Sequence, residues 1–431
     1  MRLRCSGVDY FHHLLHRLIL DHGGAGNHGQ VRVVLEGGID VAAVARAWTR
    51  LGDQAWILGA RFRQGIRGPY WSVRPGTSLV LERGEDLTAL GERQLREGLE
   101  EQGPRMRLGY AHGAGPGLVL TWDHRLCDAR AAMTILARLP ELAAGTPLRD
   151  TWWVRGHRQV PGLPPDLAAR GAQARQSVAY LKPHRHARLW RPAVEAGNRA
   201  APLTRLQLVL SPAQTAAMDS RQLSASGRFA ETPFLLACLA AAMEDVGGLR
   251  GDPLFPVAVD ARPRLGGPIL ANCHSFLFLR VRSGLASTDL GAAARALKDA
   301  HRIWVAQDVA VKMACAMEFF PLVGERLARA QLGYFRAGVA ASCLVANTGQ
   351  TILPTQLFGA AVKGISHAAA VPGMPGLAAL FHRQGMRLCC DLIAADQVAT
   401  AMPLERLSQR LRYQMLERPL IVNPTTTLIR R

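Results

Sequence analysis

His124 and Asp128 are the pair in this chain whose types and spacing could do chemistry. They stand four positions apart in residues 117–139, GLVLTWDHRLCDARAAMTILARL. Imidazole is the side chain whose ordinary pKa lets it both take and return a proton near neutral pH. The Asp128 carboxylate has two available uses. It can accept backbone N–H groups left open in the first turn of a helix, or it can pair with a distant Arg. A His followed four residues later by an Asp also arises often by chance, so the surrounding elements carry the weight.

Those elements are consistent with a rigidly held base. Leu118-Val119-Leu120-Thr121-Trp122 reads as a short strand that delivers His124 into a loop. Ala132, Ile135, Leu136 and Leu139 share one face of a helix that Asp128 would open. Upstream, Val31, Val33 and Leu35 alternate as a strand, and Asp40 begins a helix running to Leu51. Residues 55–81 read as short strands with turns at Gly68-Pro69 and Pro75-Gly76, 86–101 as a charged exposed helix, and 106–111 as a strand. Residues 140–200 lack periodicity and are rich in proline, which suggests a long crossover. Within it, the basic run 182–191 reads as a solvated connector.

The second half repeats this grammar. Strands are expected at 203–210, 256–260, 272–281 and 342–347, with a hairpin over 377–382 and 386–393. Helices are expected after Ser211-Pro212, from Thr232-Pro233 through Met243, over 290–307 and over 402–416. The pattern predicts an α/β protein of two pseudo-duplicated lobes, 1–178 and 179–431.

Composition narrows the function classes. With 431 residues, 48% hydrophobic and 20% charged, the chain can build sizeable cores and is not a disordered polymer. No apolar run is long enough to cross a bilayer, and no signal-peptide core follows Arg2 and Arg4, so a soluble cytoplasmic protein is expected. The eight cysteines include no C-x-x-C pair, which predicts a reducing compartment and no zinc site. His12, His13 and His16 read as the polar face of a helix over 5–20 rather than as metal ligands. The net charge of +19 rests almost wholly on Arg and would attract anionic partners. A pantetheine thioester is one and nucleic acid another, but the basic residues are dispersed rather than massed, which disfavours nucleic acid.

Four segments together resemble the chloramphenicol-acetyltransferase-like superfamily, which includes condensation domains, wax ester synthases, polyketide-associated acyltransferases and alcohol acyltransferases. Asp123-His124-Arg125-Leu126-Cys127-Asp128-Ala129 is similar to its H-H-x-x-x-D-G signature. Val259-Asp260-Ala261-Arg262-Pro263-Arg264 resembles the segment that supplies an Arg partner to the signature Asp. Ala271-Asn272-Cys273-His274-Ser275-Phe276 and Ala346-Asn347-Thr348-Gly349 resemble two further family segments. The chain departs from the signature at Asp123 and Ala129, and a methyl group at Ala129 could crowd His124.

The resemblance implies two sandwich-like α+β lobes with a tunnel between them. It implies acyl transfer from acyl-CoA or an acyl carrier protein to a hydroxyl or amine, with no permanently bound cofactor and a monomeric chain. His124 would be the general base, and Asp128 and Arg262 would hold its loop. Asn347, Ser275 and Asp123 become tunnel or oxyanion candidates, although a surface ion pair is the favoured reading for Asp123. Cys127 is expected to be a buried loop residue. The alternative is a catalytically silent module of the same fold that binds a carrier protein or partner enzyme.

Overall fold

The computed structural model describes residues 1–420 except 22, 67, 74–77, 114, 149–159, 161, 186, 194–202, 263–268, 329–340 and 373–374. The turn expected at Pro75-Gly76, and Pro263 and Arg264, therefore lie outside the described residues. The first half contains strands β1 (Arg2–Arg4), β2 (His28–Glu36), β3 (Arg61–Gly65), β4 (Gly68–Ser72), β5 (Leu81–Gly84), β6 (Met106–Ala111) and β7 (Gly117–Asp123). The second contains β8 (Leu203–Val209), β9 (Leu254–Asp260), β10 (His274–Arg280), β11 (Leu344–Gln350), β12 (Gln356–Leu357), β13 (Ala360–Ala369), β14 (Leu377–Gln384) and β15 (Arg387–Ala395). Helices α1 (Gly7–Asp21), α2 (Val41–Gln54), α3 (Leu87–Glu97), α4 (Ala129–Ala143), α5 (Leu167–Arg185), α6 (Pro212–Ser226) and α7 (Glu231–Gly247) follow in chain order. Further helices close the second half.

Two six-stranded sheets organise the molecule. The first has the order β12-β13-β2-β7-β6-β5 and the second β10-β9-β11-β14-β15-β8; β1, β4 and β3 form a small third sheet. Strand β7 is buried along its whole length. Leu118, Leu120 and Trp122 share one core with Trp48 of α2 and Leu136 of α4. Val119, from the opposite face, packs with Leu87 and Leu90 of α3. Covered on both sides, β7 reads as an unbroken apolar run rather than an alternating one. The second core gathers around α7, whose residues from Pro233 to Glu244 are all buried. A helix apolar on every face belongs in an interior.

The lobes are not cut cleanly by sequence. Strands β12 and β13, from the second half, complete the first sheet, and β13 pairs with β2 from Ala361↔Glu36 to Ala369↔Gly29. Two strands of the first sheet thus lie beyond the boundary expected at residue 178. That boundary also falls inside α5, a 19-residue helix in the segment expected to be an irregular crossover. Helix α3 is amphipathic, burying Leu87, Leu90, Gly91 and Gln94, instead of lying exposed.

Beyond its short pairing with β12, the outer edge of β13 is closed by side chains of the second sheet. The Ile365 carbonyl accepts from Gln207 Nε2 at 2.6 Å and His382 Nε2 at 3.2 Å. The His367 N–H donates to Asp391 Oδ2 at 2.8 Å. A buried strand edge needs such partners, because unpaired backbone groups away from water cost about as much as lost hydrogen bonds.

Candidate active site

Strand β7 ends at Asp123, and α4 begins at Ala129. The turn between them carries His124, and Asn27 and Asn272, from two separate parts of the chain, hold that turn. The His124 N–H donates to the Asn27 carbonyl at 3.0 Å. Asn272 Nδ2 donates to the carbonyls of His124 at 2.9 Å and Arg125 at 3.0 Å, and to Asp9 Oδ1 at 3.0 Å. Buried Asn272 therefore joins the second half to both the turn and α1.

Asp128 fulfils both of the uses open to it. As N-cap of α4, its Oδ1 accepts the Ala131 N–H at 3.0 Å, and the same oxygen accepts Arg262 Nη2 at 2.8 Å. Its Oδ2 accepts the Cys273 N–H at 2.9 Å and lies 3.6 Å from His274 Nδ1. Burial works against ionisation, but the contacts from His274 and Arg262 outweigh it and hold the carboxyl far below its usual range. Arg262 Nη2 also donates to the Ile269 and Ala271 carbonyls. One carboxylate thus fastens the first lobe's helix to the second lobe's backbone.

His124 is a part-exposed residue, whereas its sequence neighbours from Thr121 through Asp128 are buried. Its Nδ1 is buried and has no hydrogen-bond partner among the described residues. Burial, reinforced by nearby His274, lowers its pKa to about 4, so the imidazole is neutral at pH 7 and able to accept a proton. His12 stacks on it, with centroids 4.0 Å apart and planes 19° apart. His274 meets it edge-on at 5.8 Å.

The remaining candidates take other places. Asp123 is neither a surface pair nor a partner of the His124 ring. It is fully buried, with Oδ2 accepting from Arg125 Nη2 at 2.7 Å and Arg105 Nη1 at 3.0 Å. Burial would raise its pKa, but these two guanidiniums keep it well below the carboxylate range, and an anion so held cannot stabilise an oxyanion. Ser275 Oγ donates to the Ala310 carbonyl at 2.6 Å. Asn347 Nδ2 donates to Thr232 Oγ1 at 3.0 Å and Glu231 Oε1 at 3.3 Å, at the start of α7. No described contact brings Asn347 to His124. Ala129 has no left-handed backbone angle, so the helix start does not require the signature glycine. Cys127 is buried, as are the other seven cysteines.

Sequence reasoning misread α1. His12, His13 and His16 are buried rather than solvated, and His12 belongs to the site. The i, i+4 spacing of His12 and His16 was the available signal. Gly26, at φ +108, lets the chain turn so that Asn27 meets both rings. Its N–H donates to His16 Nδ1 and its Nδ2 contacts His12 Nδ1, each at 3.0 Å. Among the described residues, no cluster of three or more His, Cys, Asp or Glu could hold a metal ion, and no helix is long and apolar enough to cross a membrane.

The whole chain superposes on known structures of one architecture. A trichothecene 15-O-acetyltransferase from Fusarium sporotrichioides matches with TM-score 0.72 and 13% identity, over 96% of this chain and 95% of the other. The first condensation domain of the calcium-dependent antibiotic synthetase, in complex with a substrate analogue, matches with TM-score 0.71 and 18% identity over 97% of each chain. The chain has the chloramphenicol-acetyltransferase-like fold. A starter condensation domain of rhizomide synthetase, as a double mutant in complex with C8-CoA and Leu-SNAC, shares this fold with TM-score 0.63 and 16% identity, over 96% and 94% of the two chains. Neither a family sequence model nor a curated protein sequence matches. That fold is carried here by a sequence far from those of the matching structures.

Proposed function

We propose that this protein is an acyltransferase that moves an acyl group from a pantetheine thioester, on coenzyme A or a carrier protein, to a hydroxyl or amine. The observation that carries this reading is the neutral imidazole of part-exposed His124, on a turn clamped by Asp128–Arg262 across the two lobes. Because Nδ1 is buried, Nε2 is the nitrogen that would meet an acceptor. It would take the proton from the acceptor hydroxyl or amine as that nucleophile attacks the thioester carbonyl. Collapse of the tetrahedral adduct breaks the C–S bond, and the same nitrogen returns the proton to the departing thiolate. Donor and acceptor would approach the ring through the space between the lobes, so that alignment lowers the barrier further. The related fold solved with C8-CoA and Leu-SNAC supports a thioester donor class.

The test is thiol release from a panel of acyl-CoA thioesters with alcohol and amine acceptors. His124→Ala should lower turnover by about a hundred- to ten-thousandfold with unchanged thermal melting. Normal turnover in that variant would refute the assignment.

A further inference from the structure

The signature aspartate does not touch the base directly; two other histidines stand between them. His274 Nδ1 lies 3.6 Å from Asp128 Oδ2. His274 Nε2 lies 3.0 Å from His12 Nε2. His12 Nδ1 lies 3.0 Å from Asn27 Nδ2, and the His12 ring stacks on His124.

This chain has a direction. Asn27 Nδ2 also donates to the His12 carbonyl at 3.4 Å, which can only accept, so that atom is the amide nitrogen and not the oxygen. His12 Nδ1 therefore carries no proton, and its Nε2–H donates to His274 Nε2. His274 in turn carries its proton on Nδ1, facing the ionised Asp128. The 3.6 Å distance is that of an electrostatic contact rather than a hydrogen bond. Burial and the two neighbouring imidazoles keep His12 neutral, so its tautomer persists across the working pH range. Asn27 also accepts the backbone N–H of His124 through its own backbone carbonyl, so one residue holds both the His12 ring and the turn that carries His124.

We propose that His12 is the positioning residue for His124: locked in one tautomer by Asn27 and His274, its ring fixes the plane of the base. Asp128 thereby aims the imidazole through His274 and His12 as well as through the turn. The proposal rests on the acyl-transfer reading for its kinetic consequence, but not for its geometry.

Two measurements on the full-length protein separate these. Nitrogen-15 NMR of labelled histidines should find His12 as the Nε2–H tautomer from pH 6 to pH 8, and Asn27→Ala should leave His12 a mixture. A His12 ring that titrates like a solvated imidazole would overturn the proposal whether or not any activity is found. In turnover assays, His12→Ala should lower kcat about tenfold with KM within about twofold, by loss of alignment. Unchanged kcat in His12→Ala would equally overturn it. If wild-type protein turns over no thioester, the acyl-transfer reading fails, and the tautomers together with the His124 titration in His12→Ala decide the positioning role. That titration should move upward toward the usual imidazole value.

Discussion

Asp128 and Asp391 are both buried where the two lobes meet, and each stands 3.6 Å from a histidine Nδ1. Their surroundings differ in one respect. Asp128 has the Arg262 guanidinium at 2.8 Å in addition to two backbone N–H groups, and it stays ionised. Asp391 has the His367 N–H and the Gln207 amide, with Arg32 more distant, and burial pushes its pKa up to about 8. His382 must donate its Nε2–H to the Ile365 carbonyl, so a neutral His382 turns a bare Nδ1 toward Asp391. A protonated carboxyl suits that face and an ionised one does not. The same residue types therefore build a charged anchor at one point of the lobe contact and a neutral strand-edge cap at another. The presence of a guanidinium decides which.

Replacing Asp128 tests the charged end and carries the largest expected stability effect. Asp128→Ala leaves Arg262 with the exposed Asp260 carboxylate and two backbone carbonyls, and it removes a helix cap. Losing one partner of a buried pair costs at most about 3–5 kcal/mol, read as a lowered urea midpoint accompanied by lost turnover. Unchanged unfolding would mean that the anchor is not one.

At the neutral end the sign reverses. A carboxyl whose folded pKa is raised gives stability that is complete below its unfolded pKa, near 4, and is lost as pH rises toward about 8. Asp391→Asn cannot ionise, so it should match wild type at pH 4. By pH 9 it should exceed wild type by at least about 1 kcal/mol, since a tenfold change in proton affinity on folding corresponds to about 1.4 kcal/mol. A variant less stable than wild type at pH 9 would show that Asp391 is ionised and useful there.

The smallest effect belongs to Gln207→Ala, which removes one of two donors to the Ile365 carbonyl. A loss of about 1 kcal/mol is expected in chemical unfolding, because His382 continues to donate. A loss as large as that at Asp128 would erase the contrast between the two regions.

The charged anchor was partly legible in the sequence, and the neutral cap was not. Strand β7, the His124 turn and the capped start of α4 follow from an apolar run, a helical period and an Asp at the junction. Arg262, 134 positions beyond Asp128, entered only through resemblance to a family segment, since local pattern cannot pair residues so distant. His12 was hidden because a polar side chain on an amphipathic helix reads as part of its wet face until α1 is packed against other elements. Strand β13, AAVKGISHAA, gave no strand signal because alanine, glycine and lysine are poor strand formers and its alternation is weak. Its place is set by β2 on one side and by Gln207, His382 and Asp391 on the other. Helix α5 escaped for the opposite reason: it has almost no amphipathic pattern and ends near Pro183.

Strand β13 also sets a timetable for biosynthesis. Val33 waits for Ile365, roughly 330 residues later, before the first sheet has its neighbour on that side. A ribosome must therefore deliver most of the polypeptide while β2 still shows an open edge, the kind of surface that invites pairing with other nascent chains. Pairing across such a separation is also slow to form. Expression as two fragments split near residue 178 would remove that strand from the amino-terminal piece, and chaperone demand during synthesis should fall chiefly on that half.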